Sequence, residues 1–342
     1  MAQINSTISP RRSDFSRVDG GLKHPESPSI SEKAENGLAK SPLHDGLFYF
    51  ENLGTNMNDI SLPSQKKLTC MIGHPVAENP IDQMFDSVFA HYGLNWQFWK
   101  SDIASEAEVG PAIGGIRAMG FAGFCITVPY KVASMPYLDE LDRDVEAIGA
   151  ANYVTVLDGR LIGHNNDGKG VVKAIEKITP VQGKKVVMLG AGGAGRAMAV
   201  ELAWAGAERI TLVTRRALQG QEVSRRVTEV SGVPCDFMAW ENPVSIPPET
   251  DILMNATHLG CAPDLEMVPV DWNSITQKTT VVDVITNPRM TPFLENARER
   301  GCPVVDGVEM LVQLAMQIFE EWTGIRPEEA VFQRAVSQAL GE

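Results

Sequence analysis

The glycines between residues 190 and 195 have a spacing that can hold a phosphate group. Gly190, Gly192 and Gly195 form a G-x-G-x-x-G pattern after an apolar run, and an alanine-rich segment follows. Such glycines permit a tight turn, close approach of the backbone to a pyrophosphate, and close packing of the following helix, whose N-terminus faces the phosphates. We therefore predict a dinucleotide site, against the alternative of a purely structural turn. The predicted loop comprises Gly190, Ala191, Gly192, Gly193, Ala194 and Gly195.

The next apolar run, over 209–214, is a predicted strand that ends at Thr214 and is followed by Arg215 and Arg216. An NAD site usually offers an acidic residue at this point, where it binds the ribose 2′-hydroxyl. Two guanidinium groups instead suit a 2′-phosphate, because they carry charge and can form paired hydrogen bonds. The sequence therefore favours NADP over NAD, the alternative being a solvated basic start of a helix.

The composition limits the class of protein. The chain has 342 residues, of which 44% are hydrophobic, and 43 acidic against 30 basic side chains give a net charge of −13. This length suits two domains of ordinary size. A mostly negative surface repels phosphate backbones and anionic lipids, which argues against nucleic-acid and membrane partners. We expect a small-molecule substrate.

Cysteine and histidine spacing indicates neither a disulfide framework nor a metal site. The cysteines are odd in number and show no C-x-x-C spacing, and no histidine has a partner at metal-ligand spacing. We therefore predict reduced thiols in a cytoplasmic protein that binds no metal. No apolar run reaches the roughly 18 residues of a membrane span. The cysteines are Cys70, Cys125, Cys235, Cys261 and Cys302.

Residues 1–66 differ from the rest of the chain in amino-acid composition and in the periodicity of their apolar residues. They are rich in Ser, Pro, Asn, Asp and Gly without helical or strand periodicity, which predicts a flexible N-terminal extension. An exception is the apolar run 47–50, which could dock on the folded body or on a neighbouring subunit of a homodimer.

Strand and helix patterns alternate from residue 68 onward. We predict strands over 68–72, 96–99 and 123–128, with helices over 81–92 and 104–119. Continued alternation of this kind predicts an α/β fold with a largely parallel sheet.

Further motifs follow one another along the chain: GFCITVPYK (123–131), IGAAN (148–152), GHNNDG (163–168), NAT (255–257), TPFL (291–294), DGVEML (306–311) and WTG (322–324). Together with the glycine loop, this ordered set resembles the shikimate dehydrogenase family over roughly residues 68–325. The resemblance implies a role in aromatic amino acid biosynthesis and a two-domain fold. It places the substrate-binding domain at 67–167, completed by C-terminal helices from 311–342, and a Rossmann-type NAD(P)-binding domain at 168–310.

The resemblance also implies the catalytic residues. The catalytic pair of the family matches Lys131 and Asp167, with Lys131 transferring the hydroxyl proton and Asp167 orienting it. By itself, a lysine after Pro-Tyr would be interpreted as a surface residue. The substrate-contacting positions match Thr127 and Asn152, and the predicted cofactor site further includes Val284 and Gly307.

The predicted substrate pocket departs from the family pattern. The serine pair that holds the substrate carboxylate in the family is missing after IGHP (72–75), where Glu78 would repel a carboxylate. Cys125 replaces an Asn, Thr286 a Tyr and Leu314 a Gln; the adjacent Gln313 is about 100° round the helix and need not compensate. Asn79 and Thr286 can still donate hydrogen bonds to a carboxylate.

Three functions are compatible with this pattern. The leading hypothesis is an NADP-dependent dehydrogenase acting reversibly on shikimate, quinate or a related cyclic polyol acid. The second is the same chemistry on an analogue whose carboxylate is altered or missing. The third is a non-catalytic metabolite sensor, which retention of Lys131 and Asp167 argues against.

Overall fold

The computed structural model describes residues 65–263 and 265–342. The predicted extension, apart from its last two residues, and the apolar run 47–50 lie outside these ranges. The described chain contains two six-stranded sheets with helices packed around them. The predicted α/β class is therefore confirmed.

The first sheet is mixed rather than largely parallel. Its order is β2-β1-β3-β5-β6-β4; β1 pairs in parallel with β2 and β3, whereas β5 is antiparallel to both β3 and β6. The antiparallel pairing of β5 with β6 arises because the short turn between these two strands allows only a hairpin. The strands are β1 (Lys67–Gly73), β2 (Trp96–Asp102), β3 (Gly123–Ile126), β4 (Glu140–Leu141), β5 (Tyr153–Leu157) and β6 (Arg160–His164).

Three helices belong to this first sheet: α1 (Ile81–His91), α2 (Val109–Ala118) and α3 (Arg143–Ile148). The expected helix over 104–119 begins later, because residues 106–108 form a 3₁₀ turn before α2. The expected strand over 123–128 ends at Ile126, since the chain turns there and the Tyr130 N–H donates to the Thr127 carbonyl at 3.0 Å.

The second sheet is wholly parallel, with order β12-β11-β10-β7-β8-β9. The strand order reverses between β7 and β10, and ligands of doubly wound sheets bind outside the carboxyl ends of the strands at such a point. Its strands are β7 (Lys185–Leu189), β8 (Arg209–Thr214), β9 (Cys235–Ala239), β10 (Ile252–Asn255), β11 (Thr280–Asp283) and β12 (Val304–Val305), and its helices are α5 (Gly193–Trp204), α6 (Ala217–Ser231) and α7 (Pro292–Glu299).

Helix α4 (Asp167–Glu176) connects the two sheets, and it packs between α5 and α8 (Gly307–Thr323). Two glycines permit this close approach. A Cβ at Gly168 would lie 2.5 Å from the Ala197 carbonyl of α5, and one at Gly170 would lie 3.0 Å from the Met310 carbonyl of α8. The first residue of α4 is thereby held at a fixed position between both neighbours.

An aromatic cluster packs the C-terminal helices, α8 and α9 (Glu329–Leu340), on the first sheet. Phe85 of α1 stacks on Phe98 of β2 with ring centroids 5.0 Å apart, and it also contacts Trp322 of α8 and Phe332 of α9. The Trp322 indole N–H donates to the Val154 carbonyl at 3.1 Å. Burial of these large rings stabilises the packing of α8 and α9 on α1 and β2.

Candidate active site

A cavity of about 190 Å³ lies where β3, α4 and α8 meet. Its wall contains every residue that the sequence assigned to catalysis or to substrate, although they come from distant parts of the chain. These residues are Asn79, Cys125, Thr127, Lys131, Asn152, Asp167, Thr286 and Leu314. Three residues assigned to the cofactor, Ala194, Val284 and Gly307, line the same cavity.

Lys131 and Asp167 form a buried ion pair in this wall. The Lys131 Nζ donates to the Asp167 Oδ2 at 2.5 Å, and the two residues are only 8% and 3% exposed. Lys131 lies in the turn after β3, where its carbonyl accepts from the Ala151 N–H at 2.8 Å. The lysine is therefore not the surface residue that its local sequence alone suggests.

Neighbouring groups fix the orientation of the Asp167 carboxylate. Asp167 is the first residue of α4, so its side chain lies beside the partial positive charge of the helix N-terminus. The Asn152 Nδ2 donates to the Asp167 Oδ1 at 3.0 Å, and the Asp167 N–H donates to the Asn165 Oδ1 at 3.1 Å. The Asn166 Nδ2 donates to the Leu314 carbonyl at 2.9 Å, which connects this turn to α8.

The glycine loop connects β7 to α5 beside the Lys131–Asp167 ion pair. Gly190 has φ +105°, and a Cβ there would lie 2.8 Å from the Ala256 carbonyl; one at Gly195 would lie 2.8 Å from the Gly190 carbonyl. A Cβ at the exposed Gly192 would meet no heavy atom within 4 Å. The backbone at Gly192 is therefore open to a ligand, and this loop fits a dinucleotide pyrophosphate.

The loop also reaches the ion pair. A Cβ at Gly193 would lie 3.0 Å from the Lys131 Cβ. The buried Ala191 completes the loop, Val284 follows β11, and Gly307 begins α8. A cofactor extending from the loop along Ala194, Val284 and Gly307 would therefore enter the cavity next to Lys131.

The two predicted phosphate-binding arginines lie at the end of β8, apart from the cavity wall. Thr214 is buried, and its Oγ1 accepts from the Arg216 N–H at 3.3 Å. Arg215 and Arg216 are exposed, and neither forms a salt bridge with any residue that the structure describes. The Arg215 guanidinium lies 6.0 Å from the Trp240 ring centroid. Their charges are therefore free to meet a phosphate.

Cys125 is fully enclosed in β3. Burial raises the pKa of its thiol well above the usual value, so the protonated form persists at neutral pH. The side chain therefore fills space in the wall and is not a nucleophile.

The structure places Glu78 away from the cavity, which corrects the expectation that it would repel a carboxylate there. Glu78 is exposed in a neighbouring recess, where its Oε2 accepts from the Asn287 Nδ2 at 3.4 Å. The turn is held by the Lys100 Nζ, which donates to the Asn79 carbonyl at 2.9 Å, and by the Asn79 Oδ1, which accepts from the Ile81 N–H. This arrangement directs Asn79 to the cavity and Glu78 to solvent.

Most of an apolar wall was missed at the sequence level, where Leu314 was assigned to the substrate pocket but its neighbours on α8 were not. Met310, Leu314 and Ile318 recur every four residues of α8 and face the cavity, whereas Gln313 lies beside Glu329 on another face. The four-residue spacing was the available signal, but it is equally typical of an ordinary core helix. The other residues of the wall that were not predicted are Met71, Ile81, Ile126, Val128, Met198 and Leu311.

The described residues contain neither a candidate membrane span nor a cluster of metal-ligating side chains. No helix over 65–263 or 265–342 is long and apolar enough to cross a membrane. In the same part of the chain, no three His, Cys, Asp or Glu residues are grouped as metal ligands would be.

Comparison with known proteins identifies the family. Residues 71–154 match the model described as the shikimate dehydrogenase substrate-binding domain. A shikimate dehydrogenase (NADP(+)) of Bacillus cereus is 35% identical over 279 residues, which cover 81% of this chain and 99% of that protein. The chain belongs to the shikimate dehydrogenase family. It is therefore an oxidoreductase.

Solved structures related to this shikimate dehydrogenase family member differ in their ligands. The ligand-free 5-ketofructose reductase of a Gluconobacter strain is 37% identical, with TM-score 0.74 and coverage of 81% of this chain and 99% of that one. A shikimate dehydrogenase in complex with NADP+ is 32% identical, with TM-score 0.76 and coverage of 81% and 96%. The Listeria monocytogenes enzyme with shikimate and NAD is 26% identical, with TM-score 0.73 and coverage of 80% and 96%.

Proposed function

We propose that the protein catalyses reversible hydride transfer between NADP(H) and a secondary alcohol or ketone of the shikimate/3-dehydroshikimate kind. The observation that carries the proposal is the buried Lys131–Asp167 ion pair, which lines a small cavity and adjoins the glycine loop. Burying charged groups costs free energy even when they are paired, and such groups cluster at catalytic sites. A sensor would have no need of a buried proton donor at this position.

Lys131 moves the proton. In the reducing direction its ammonium group gives a proton to the carbonyl oxygen of the substrate, and in the oxidising direction the neutral amine takes the hydroxyl proton. Asp167 holds the Nζ in place at 2.5 Å and stabilises its positive charge. Bound NADP(H) supplies or accepts the hydride.

The remaining polar residues of the cavity position the substrate. Thr127 and Thr286 offer hydroxyls and Asn79 an amide, while Asn152 holds Asp167 and Cys125 and Leu314 shape the wall. Shikimate is the first substrate to test because the B. cereus relative is named for it, with quinate next. Turnover of shikimate would agree with the role in aromatic amino acid biosynthesis that family membership implies.

Arg215 and Arg216 support NADP as the cofactor. Both are exposed at the end of β8, without an acidic partner among the described residues, where the 2′-substituent of the adenosine ribose meets the protein in dinucleotide-binding folds. The relatives include both NADP-bound and NAD-bound proteins, so the two cofactors need direct comparison.

The test follows NADP+ reduction by absorbance with shikimate, with quinate and with related alcohols, and repeats each assay with NAD+. We expect turnover with NADP+ and a KM at least tenfold higher for NAD+. Binding of NADP+ without turnover of any alcohol, and without reduction of any corresponding ketone by NADPH, would reject the proposal in favour of a sensor.

Three features of the whole protein stay predictions. The division into a substrate domain of residues 67–167 with helices from 311–342, and a cofactor domain of residues 168–310, is supported by the two separate sheets. A cytoplasmic location is supported by five cysteines that are all free thiols. A homodimer is supported only by the apolar run 47–50.

A further inference from the structure

The charge of the cavity wall is balanced before any substrate binds. Among the residues that line it, Lys131 is the only cation and Asp167 the only anion, and they neutralise each other at 2.5 Å. A carboxylate entering this space would give the cavity a net negative charge. An anion that leaves water for such a site loses its hydration and gains no cation of its own in return.

The polar groups left for a ligand are neutral: two hydroxyls, which can both donate and accept hydrogen bonds, and one amide nitrogen, which only donates. The hydroxyls of Thr127 and Thr286 and the Nδ2 of Asn79 have no partner within the described chain. The Asn152 Nδ2 is already committed, because it donates to Asn166 and to Asp167. Hydroxyl and ketone groups are matched by such partners, since each hydroxyl donates one hydrogen bond and accepts others.

Helix α8 closes the cavity with hydrocarbon. Leu314 is 8% exposed, and with Met310 and Ile318 it presents no donor to the ligand. Glu78, in the adjoining recess, adds negative charge outside this wall. No lining residue from this helix can therefore replace the water that a carboxylate gives up.

We infer that the site selects an uncharged polyhydroxy ketone or alcohol and gives no binding advantage to a carboxylate, with Leu314 as a specificity-determining residue. This inference rests on the proposed function, because it concerns the substrate of the same Lys131–Asp167 pair. The 37% identical 5-ketofructose reductase provides the probe, a keto sugar without a carboxylate.

The first experiment compares shikimate with its primary carboxamide, a neutral group of the same shape. Each is titrated by calorimetry into the full-length enzyme saturated with NADPH, because the reduced cofactor cannot accept a hydride and neither alcohol is therefore oxidised during the titration. We expect the carboxamide to bind at least as tightly as the acid. A site that pairs the carboxylate would instead hold the acid about 10- to 100-fold more tightly, which would overturn the inference.

The second experiment measures NADPH oxidation with 5-ketofructose and with 3-dehydroshikimate. We expect kcat/KM for 5-ketofructose to be at least tenfold higher. A higher value for 3-dehydroshikimate would overturn the inference and leave the proposed function intact. If the carboxamide and 5-ketofructose bind but nothing is turned over, the proposed function fails and the ligand class stands. Absence of binding by both neutral ligands overturns the inference.

A matched pair of variants on α8 tests the role of Leu314. Leu314→Gln places an amide donor in the wall and is expected to shift the acid-to-carboxamide affinity ratio roughly 5- to 10-fold toward the acid. Gln313→Leu makes the opposite change one residue away, outside the cavity, and is expected to leave the ratio unchanged. If the acid-to-carboxamide affinity ratio is the same in both variants and in the wild type, Leu314 does not determine the specificity.

Discussion

At the scale of single residues, the proposed preference for NADP rests on two arginines without acidic partners in the described chain, Arg215 and Arg216. Replacing both with Ala is expected to raise the KM for NADP+ about 10- to 100-fold, because charge-assisted hydrogen bonds to the 2′-phosphate are lost. The KM for NAD+ should stay constant. Steady-state kinetics with both cofactors checks this.

Arg225 provides the control for the arginine variants, since it lies on α6 and pairs with Glu229 at 2.5 Å. Arg225→Ala should leave both KM values unchanged. A parallel increase in KM for NADP+ and NAD+ in the double variant would show that the arginines do not recognise the 2′-phosphate.

Glu201 of α5 makes stability dependent on pH. Burial, with smaller contributions from Asp144 and Asp142, raises its pKa to about 7 against the opposing effect of Lys169. Between pH 4.5 and 7 the folded protein therefore holds a proton that the unfolded chain has released, so this group lowers the free energy of unfolding as pH rises.

Glu201→Gln mimics the protonated form and should remove this contribution. As the pH rises from 5 to 8, we expect the free energy of unfolding of the variant to increase by about 1–2 kcal/mol relative to that of the wild type, after allowance for solvent screening. Denaturant unfolding at both pH values measures the difference. An identical pH dependence in variant and wild type would contradict the assignment.

At this scale the sequence could predict which residues meet in one cavity better than how their side chains are oriented, and the catalytic and substrate-binding roles of these residues stay predictions. Lys131, Asp167 and the six substrate positions line one cavity, as expected from motifs that lie far apart in the chain. The direction of Glu78 could not be predicted, because it depends on hydrogen bonds from Lys100 and to Asn79 that no local pattern reveals.

At the scale of elements, α4 packs closely on α5 and thereby positions Asp167, the carboxylate of the proposed catalytic pair. A Cβ at Gly168 would lie 2.5 Å from the Ala197 carbonyl, so Gly168→Ala must push the two helices apart. We expect a loss of about 2–4 kcal/mol in the free energy of unfolding and a lower kcat, because Asp167 is the neighbouring residue.

The exposed Gly114 of α2 gives the matched control. A Cβ there meets no heavy atom within 4 Å, so Gly114→Ala should stabilise the protein by about 0.5–1 kcal/mol through helix propensity. Chemical denaturation and kcat measurements of both variants make the comparison. Equal stability of Gly168→Ala and wild type would contradict the close packing.

Elements with a clear apolar pattern were predictable, and their ends were less so. The strand Arg209–Thr214 and the start of α1 at Ile81 match the sequence pattern. The start of α2 does not, because the acidic residues before Val109 form a 3₁₀ turn without a side-chain cap. Strand order across both sheets follows from long-range pairing, which local periodicity does not encode.

At the scale of the whole molecule, every described residue that lines the cavity lies between Met71 and Ile318. The predicted N-terminal extension contributes none of these lining residues. Deletion of residues 1–61 is therefore expected to change kcat and KM by less than twofold, as measured by the absorbance assay. A large loss of turnover would contradict the prediction that this extension serves no catalytic role.

The proposed reaction depends on proton transfer by Lys131 inside a cofactor-binding cavity. The most direct measurement is single-turnover reduction by NADPH of the ketone that the wild type uses best, in Lys131→Met and in Lys169→Met. Lys169 also forms an ion pair with an aspartate, Asp144, but outside the cavity wall, which makes it the matched control.

We predict that Lys131→Met lowers the rate about 10²- to 10⁴-fold, because its general acid is lost, while the dissociation constant for NADPH stays within twofold of wild type. Lys169→Met should retain the wild-type rate. A Lys131→Met enzyme that reduces the ketone at a near wild-type rate would contradict proton transfer by Lys131.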